Sequence, residues 1–169
     1  MYWFNDLLNS SEYIFNNKYK NKIDNWGFKL YEKYTRKDVC KILGFIKNQD
    51  STMYGYFKSN QINLLFITLD KNTNSYNDEL VSNSLIKWES KKNISSKSKM
   101  ILDLEDNINK NLVFVKRNKT IDNSSFYYLG DFKFEFIKEI GNGKNKQVQG
   151  NLILNKHIPK DWFDFLNNF

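Results

Sequence analysis

The first clear pattern along the chain is a short apolar stripe at helical spacing. Its members recur at i, i+3 and i+4, on one face of a helix, and they are Val39, Ile42 and Leu43. Thr35 stands where the helix would begin and Asp38 follows three residues later, a spacing typical of a capping box. Gly44 favours an end to the helix. The pattern therefore predicts a helix over 35–45 that Thr35 caps.

Beyond this helix, β-branched and aromatic runs separated by polar breaks indicate strands. The predicted strands span 52–58, 62–69, 85–90, 112–117, 126–129, 132–140 and 147–155. The break at 59–61 predicts a hairpin, and 141–146 predicts a turn between the last two strands. Every second residue from 132 to 136 is a phenylalanine, which places an aromatic row on one face of the sheet. The row consists of Phe132, Phe134 and Phe136.

Two further stretches have helical character. An apolar residue recurs every four positions in 95–109, which predicts a helix inserted among the strands. The recurring residues are Met100, Leu104 and Ile108. Pro159 favours the first position of a C-terminal helix, with Trp162, Phe163 and Leu166 packing inward.

This order of elements indicates an α+β fold. We predict a strongly curved, mainly antiparallel sheet or open β-barrel flanked by helices, because such a form accommodates many short strands without long exposed edges. The stretch before Phe28 is rich in polar residues and ends in a polar run. We therefore predict an N-terminal extension and linker over 1–27, followed by one domain over 28–169.

Composition narrows the class of protein. With 40% apolar and 17% aromatic residues among 169, the chain has enough apolar surface to fold. Its formal net charge of +7 suggests a polyanionic partner, nucleic acid or an anionic membrane, although a general bias toward Lys and Asn would also raise the charge. No apolar run reaches membrane-spanning length and the first residues do not resemble a signal peptide. We expect a cytoplasmic protein with no membrane partner.

Catalytic machinery is sparse. The single cysteine, Cys40, excludes an internal disulfide and a Cys-rich zinc site, and the single histidine, His157, lacks partners for a metal site. The run 141–144 is rich in glycine but lacks the spacing of a phosphate-binding loop. Acidic residues cluster at 103–106 and at 161–164, where a solvated helix face is the simpler interpretation. The sequence therefore predicts a protein that is not an enzyme and has no cofactor or metal.

Several separated motifs occur in a fixed order. They are Leu30–Leu43, the Tyr-Gly-Tyr run in 51–56, the apolar run 65–68, Tyr76-Asn77-Asp78, the Trp-x-Ser segment in 86–91, and the paired runs 112–116 and 126–130. In this order they resemble the DUF3427-type domain at the C-terminal end of SauUSI-like nuclease/helicase restriction enzymes that depend on DNA modification. The similarity begins near Phe28. Ile86 departs from it, standing where the family is expected to have an aromatic residue. The nuclease and helicase parts have no counterpart here, so we interpret the chain as an excised domain or a small separate protein.

The resemblance implies a non-catalytic domain that reads modified cytosine, of the 5-methylcytosine type, in double-stranded DNA. It also implies a curved sheet similar to SRA or PUA-like domains. The implied partners are double-stranded DNA with modified cytosine and the nuclease/helicase domains of a restriction enzyme, fused or separate. Such a system belongs to type IV restriction and phage defence.

A reader that extrudes a base needs flat side chains, an acceptor for the cytosine amino group and a slot for the methyl group. The candidates for this base pocket are Tyr54, Tyr56, Tyr76, Asp78, Trp88 and Ser90. Asp78 can accept from the amino group, and Trp88 offers the largest stacking plane. The alternatives stay open at this point: the tyrosines and Trp88 can be core residues, and Asp78 can cap a turn.

Basic residues provide candidates for phosphate contacts. A first cluster, interrupted by Glu89 alone and interleaved with serines, comprises Lys87, Lys91, Lys92, Lys97 and Lys99. A second cluster at a predicted strand end comprises Lys116, Arg117 and Lys119. Two other functions compete with DNA reading: a protein-interaction or regulatory module docking on a restriction/helicase complex, and a nuclease with an unusual acidic site. A steep fall of DNA affinity with salt would favour phosphate contacts over the first alternative, and a metal-dependent cleavage assay tests the second.

Overall fold

The computed structural model describes residues 22–45, 55–70, 77–106, 108–118 and 121–168. The strands are β1 Lys33–Thr35, β2 Tyr56–Ser59, β3 Ile62–Thr68, β4 Glu79–Ser82, β5 Leu85–Glu89, β6 Lys110–Lys116, β7 Ser125–Ile140 and β8 Gln147–Leu154. The α-helices are α1 Arg36–Ile42, α2 Lys99–Glu105 and α3 Lys160–Asn167, and a 3-10 turn spans Gly143–Asn145. None of the helices in these ranges is long and apolar enough to cross a membrane.

The strands form one open, mixed sheet in the order β2-β3-β6-β7-β8-β5-β4, and β1 is added to β7. All pairs are antiparallel except β3 and β6, which run parallel from Ile62 opposite Lys110 to Thr68 opposite Lys116. The inserted helix α2 lies in the connection between β5 and β6 and packs against β7. The predicted α+β class is confirmed, and the sheet is open.

One prediction about the strands was wrong: 126–129 and 132–140 are a single strand, β7, of 16 residues. Gly130, with φ of +99°, lies at the predicted break. The pairing of β7 with β6 shifts register there, between Val113 and Phe114, so the strand changes direction through a bulge and does not end. Its first part pairs with β6, and its second part, from Phe132, pairs with β8.

Apolar side chains form two cores on opposite faces of the sheet. The larger core lies between the sheet and α2 and α3, and includes Ile67, Trp88, Val115, Leu152 and Trp162. The smaller core lies beneath the segment from Trp26 to α1, and includes Phe28, Val39, Phe66, Phe114 and Tyr128. Strands β3 and β6 contribute to both cores, which explains why their sequences are almost continuously apolar.

The start of α1 agrees with its sequence signal. The Thr35 hydroxyl accepts from the Asp38 backbone N–H at 3.2 Å, and the Asp38 carboxylate accepts from the Thr35 backbone N–H at 2.8 Å. The predicted capping box is therefore confirmed. The helix ends at Ile42, and Gly44 follows it with φ of +68°, a backbone conformation that favours glycine.

Other boundaries differ from the predictions. Helix α2 begins at Lys99 because 95–98 forms a turn in which the Ser98 hydroxyl accepts from the Ser95 N–H. Pro159 precedes α3 as its cap residue, and the helix begins at Lys160. The short strands β1 and β4 were not predicted, since three or four residues carry too little periodicity to be recognised. The beginning of the predicted strand 52–58 lies outside the described residues.

Residues just before the predicted domain boundary contact the domain. The Asp24 carboxylate accepts from the Tyr128 hydroxyl at 2.6 Å, and from the backbone N–H groups of Trp26 and Phe28. The boundary at Phe28 stays a prediction, but the described residues ahead of it are held against β7. Cys40 is buried in the smaller core, as a small apolar residue would be.

Candidate nucleic-acid interface

Two acidic residues lie side by side where β4 begins and β5 ends, and a side-chain-to-backbone hydrogen bond joins them. Asp78 directly precedes β4, and its Oδ1 accepts a hydrogen bond from the backbone N–H of Glu89 at 2.9 Å. Glu79 is paired with Lys87, so continuing this register places Asp78 opposite Trp88. Asp78 and Trp88 therefore belong to the same face of the sheet, and Glu89 to the other. This pair of acids, Asp78 and Glu89, is called the acidic corner below.

Glu89 is 5% exposed and is held by amide donors. Its Oε2 accepts from the Asn77 backbone N–H at 3.1 Å, and its carboxylate is also within reach of the Asn77 side-chain amide. Gln149, its cross-strand neighbour on β8, donates to Oε1 at 2.5 Å. A buried carboxylate is thus fixed by neutral groups, which satisfy its hydrogen bonds without neutralising its charge.

The surroundings of Asp78 change the pKa of its carboxyl group. Burial raises the pKa of Asp78 to about 7, the N–H of Glu89 works against this rise, and the nearby charge of Glu89 adds to it. The side chain is not sealed, since Asp78 keeps an intermediate exposure. A carboxyl group with these properties can exchange a proton near neutral pH, which makes it a candidate for a functional site.

Trp88 lies in the core, opposite Asp78 in the register of β4 and β5. Its ring is 6% exposed and packs edge-on against Phe134 with centroids 5.9 Å apart. Gly150 lies opposite Trp88 on β8, and a Cβ atom there would come within 2.3 Å of the Phe134 ring. Glycine is therefore required at this position, because the aromatic rings close directly over its backbone. Trp88 is therefore a core residue, the alternative that the sequence left open, and its ring has no exposed face on which a base could stack.

Ser90 is also buried, and it anchors the chain that follows β5. Its hydroxyl accepts from the Val148 N–H at 2.8 Å and lies 3.0 Å from the Lys91 carbonyl oxygen, to which it donates. The Gln147 side chain donates to its carbonyl oxygen. Ser90 therefore fixes where the basic segment starts and does not itself present a hydroxyl to a ligand.

The first basic cluster is on the surface. All five of its lysines are exposed: Lys87, Lys91, Lys92, Lys97 and Lys99. The four from Lys91 onward belong to residues 91–99, called the basic segment below. Backbone and side-chain bonds hold this segment to the β7–β8 end, through Ile94 N–H to Lys146 O at 3.1 Å and Ser96 N–H to Glu139 at 2.5 Å. Lys87 lies on β5, on the face opposite Trp88.

The second basic cluster was predicted wrongly for its described members. Arg117 is 2% exposed and binds the Asp122 carboxylate through Nε and Nη2, at 3.2 and 2.8 Å. Lys116 is buried as well; its Nζ donates to the Asn123 carbonyl oxygen and lies 4.5 Å from the centre of the Phe126 ring. Both charged groups bind other groups of the domain and are buried, so neither side chain is placed to contact phosphate. Lys119 lies outside the described residues.

Of the predicted tyrosines, the structure describes Tyr56 alone, and Tyr56 does not lie at the acidic corner. Tyr56 lies on β2, at the other end of the strand order, and its hydroxyl donates to Asn63 at 3.0 Å. Burial and the nearby charge of Asp103 raise its pKa above the usual range. Asn63 in turn bonds to Asn111 and to the Asp103 carbonyl oxygen, so Tyr56 belongs to a network that joins β2, β3 and α2. Tyr54 and Tyr76 lie outside the described residues.

A cleft of about 230 Å³ opens where β7 changes partner from β6 to β8. Its walls carry charges of both signs and the edges of core rings, from Glu105, Lys110, Asp131, Lys133 and Phe134. Phe134 also contacts Trp88, so the two regions share one aromatic residue. The predicted pocket residues that the structure describes, Tyr56, Asp78, Trp88 and Ser90, do not line this cleft.

Sequence reasoning missed three residues at this site. They are Glu89 of the acidic corner and the two amide residues that bind it, Asn77 and Gln149. Glu89 carried a signal, because it is the only acid within the first basic cluster and lies between two core positions. The two amides gave none. The acids predicted as solvated clusters form ordinary pairs, Asp103 with Lys58 at 2.6 Å and Asp164 with Lys160 at 2.5 Å. Among the described residues, no group of three His, Cys, Asp or Glu could hold a metal ion.

Comparison with solved structures identifies the fold. The chain is similar to the SRA domain of SUVH5, solved with fully methylated CG DNA, with a TM-score of 0.52, 14% identity and coverage of 82% of this chain and 95% of that one. It is similar to the DNA recognition domain of the cytosine modification-dependent restriction endonuclease LpnPI, with a TM-score of 0.50, 13% identity and coverage of 82% and 79%. SUVH6 of Arabidopsis thaliana gives a TM-score of 0.51 at 12% identity, over 82% of this chain and 28% of that one.

These similarities show that the fold is SRA-like. No curated protein matches the sequence. A family described as a domain of unknown function, DUF3427, matches residues 28–166. Because this match covers most of the chain, the protein belongs to the DUF3427 family.

Proposed function

We propose that this domain recognises modified cytosine, of the 5-methylcytosine type, in double-stranded DNA and catalyses no reaction itself. The observation that carries the proposal is the position of Asp78, a partly buried carboxyl group beside the exposed basic segment. Two solved proteins with the same fold are, by their names, an SRA domain in complex with fully methylated CG DNA and the DNA recognition domain of a cytosine modification-dependent restriction endonuclease. Their shared fold supports the assignment of the class of ligand.

The basic segment has the properties of a phosphate contact. Its lysines are exposed, while its backbone is fixed to β7 and to Lys146 just before β8, so the positive charges are presented at a defined place. Contacts of this kind position a protein on duplex DNA without reading the sequence. Lys91, Lys92, Lys97 and Lys99 take this role in the proposal, with Lys87 beside them on β5.

Asp78 takes the role of base reader. A cytosine extruded from the duplex exposes its amino group, which donates hydrogen bonds that a carboxyl oxygen accepts. Oδ1 of Asp78 is held by Glu89, and no hydrogen bond from another described residue occupies Oδ2. Tyr76, two residues earlier in the chain, and Tyr54 remain the proposed flat side chains of this pocket. Trp88 supports Asp78 from the core and Ser90 anchors the basic segment.

A restriction nuclease/helicase, fused or separate, completes the proposal as the partner that the domain would direct. Two features of the domain fit this division of labour. The described residues include no cluster suited to a metal ion, and the candidate site offers an acid and a basic surface but no nucleophile paired with a base. The cutting reaction is therefore assigned to the partner.

The decisive experiment compares two duplexes that differ only in 5-methylcytosine. Asp78→Ala should lower the preference for the modified duplex by about tenfold or more, the value of one good base contact. It should leave the salt-dependent binding to the unmodified duplex in place. Glu79→Ala is the matched control, because Glu79 is the next acid in the chain and lies on the other face of the sheet. Both variants are checked by thermal melting.

Equal preference in the parent and in a folded Asp78→Ala variant would contradict the proposed reader. Extrusion is tested separately by placing a mismatched base opposite the modified cytosine. Extrusion costs a few kcal/mol of pairing and stacking, and a mismatch lowers that cost. Tighter binding to the mismatched duplex supports extrusion, and unchanged binding contradicts it.

A further inference from the structure

We infer that Asp78 meets the base as a neutral carboxylic acid, and that Glu89 is the positioning residue that keeps its proton in place. This inference rests on the proposed function and concerns the same site. It names a chemical state for the reading group and a second residue that determines this state, and it makes recognition of modified cytosine dependent on pH.

The geometry of the acidic corner supplies the first reason. Asp78 and Glu89 are joined through the Glu89 backbone N–H, and the donors around them are the amides of Asn77, Glu89 and Gln149. Neither acid forms an ion pair with a lysine or arginine in the described part of the chain. A partly buried carboxyl group with one N–H donor and no cation beside it favours the protonated form, and the charge of a second acid nearby adds to this preference.

The chemistry of the base edge supplies the second reason. The pairing edge of cytosine offers a donor, the 4-amino group, beside an acceptor, N3. An ionised carboxylate offers only acceptors, so one of its oxygens would face the lone pair of N3. A neutral acid offers one acceptor and one O–H donor, which match the two groups of the cytosine edge. The Glu89 N–H uses one of the two acceptor sites of Oδ1, and the other is left for the amino group, so the proton is assigned to Oδ2, which faces N3.

Electrostatics around the site agree with this assignment. Burial raises the pKa of Asp78 to about 7, and among charged side chains only that of Glu89 contributes to this rise. The other charged groups on the elements packed here are Glu79 of β4 and Lys87 of β5, on the face opposite Asp78, and Lys160, Asp161 and Asp164 of α3. Lys160 is paired with Asp164. Glu89, buried and fixed by Asn77 and Gln149, is therefore the neighbour that favours the protonated form.

The inference predicts a pH profile for discrimination. Below about pH 7, Asp78 carries its proton and reads the base. Above it, binding must take up a proton, so the preference for modified DNA should fall by up to about tenfold per pH unit. The ratio of the affinities for modified and unmodified duplex is the quantity to follow. The pH dependence of phosphate contacts cancels in it, whereas that of the Asp78 contact does not, because in the proposal the unmodified duplex binds without extrusion of a base.

Two variants test the roles of the two residues. Asp78→Asn keeps one donor and one acceptor in the same shape, so it should discriminate at every pH from 6 to 8.5 with a flat profile. Glu89→Gln removes the neighbouring charge and keeps the backbone N–H that holds Asp78. The midpoint of its profile should move to lower pH, because the charge that favours the protonated form of Asp78 is gone. A purely structural role for Glu89 would lower discrimination without moving the midpoint.

Three results would overturn the inference. They are a flat profile in the parent, a profile that persists in Asp78→Asn, and an Asp78→Asn variant that loses discrimination as Asp78→Ala does, which would make the ionised form the reader. An unmoved midpoint in Glu89→Gln overturns the role of Glu89. The proposed function fails on a different observation, unchanged preference in Asp78→Ala, so the two failures are distinguishable.

Discussion

Two aspartates, Asp122, which is buried, and Asp78, which is partly buried, differ in what surrounds them. Asp122 is 2% exposed and accepts from the Arg117 backbone N–H and from both guanidinium nitrogens that face it, with Lys33 Nζ at 3.6 Å. Asp78 has a backbone N–H and a second carboxyl group as its neighbours. The first carboxylate is neutralised and fully bonded, so it serves the structure. The second is held but not neutralised, so it can exchange a proton and accept a ligand.

The comparison also explains where positive charge is available. Arg117 is used to neutralise Asp122, and its guanidinium carbon lies 4.1 Å from the centre of the Phe165 ring. The lysines of the basic segment form no ion pair with a described residue, and they are exposed. A basic residue in the sequence therefore becomes a phosphate contact only where folding leaves it on the surface.

The largest expected effect comes from breaking the neutralised pair. Asp122→Asn leaves the Arg117 charge buried without its partner, which should lower the free energy of unfolding by about 3–5 kcal/mol. Urea unfolding at pH 7 measures the change. Lys33→Ala is the control, because Lys33 is the more exposed partner of the same acid and its loss should cost about 1 kcal/mol or less. A loss below about 1 kcal/mol for Asp122→Asn would show that the pair is not structural.

At the acidic corner, an Asp-to-Asn substitution is expected to raise the free energy of unfolding, whereas Asp122→Asn lowers it. The pKa of Asp78 is raised from 3.8 to about 7 in the folded protein, so ionisation favours the unfolded state. The stability contributed by the protonated form is fully present below 3.8 and is lost as pH rises toward 7. Asp78→Asn cannot ionise, so this variant does not lose stability at residue 78 as pH rises. Its free energy of unfolding should gain on the parent between pH 5 and 8, by roughly 1–3 kcal/mol, and level off above pH 7.

Urea unfolding of both proteins at pH 5, 6, 7 and 8 gives this difference directly. Asp122→Asn serves as the contrast, since its deficit should already be present at pH 6. If Asp78→Asn were less stable than the parent by the same amount at every pH, Asp78 would resemble Asp122, and the distinction between the two aspartates would be lost.

The smallest effect concerns the basic segment. Replacing Lys91 and Lys92 with Ala should weaken binding to modified and unmodified duplexes equally, with a salt slope lower by about one for each lost phosphate contact. Lys116→Gln is the control, because Lys116 is turned inward and should leave the slope unchanged. Titrations at several salt concentrations measure the slope. A selective loss of binding to the modified duplex would move these lysines from the backbone to the base pocket.

Local features of this fold followed from the sequence, because they depend on residues close together in the chain. The capping box of α1, the hairpin of β2 and β3, and the strands β5, β6 and β8 all rest on spacings within about ten residues. The break predicted within β7 was wrong because Gly130 is read locally as a stop, whereas the bulge opposite β6 allows the strand to continue.

The candidate site shows the same division. Asp78, the exposed lysines and the importance of the Trp-x-Ser segment could be proposed from residue type and motif alone. The burial of Trp88 and Arg117 could not be predicted from the sequence. Trp88 is buried against Phe134, and Arg117 against Asp122 and Phe165, and the sequence does not show that these side chains come together. The parallel pairing of β3 with β6 was equally inaccessible, since the connection between them contains β4, β5 and α2.

The sequence by itself determined the α+β class, the family resemblance, the helix cap and a set of basic and acidic candidates. Only the tertiary structure decided which charges stay on the surface, and that Asp78 lies beside Glu89 and not beside a cation. The physical reason is that the free energy of a charge depends on burial and on the charges a few ångströms away. Those neighbours come from strands brought together by the sheet, Glu89 from β5 and Gln149 from β8.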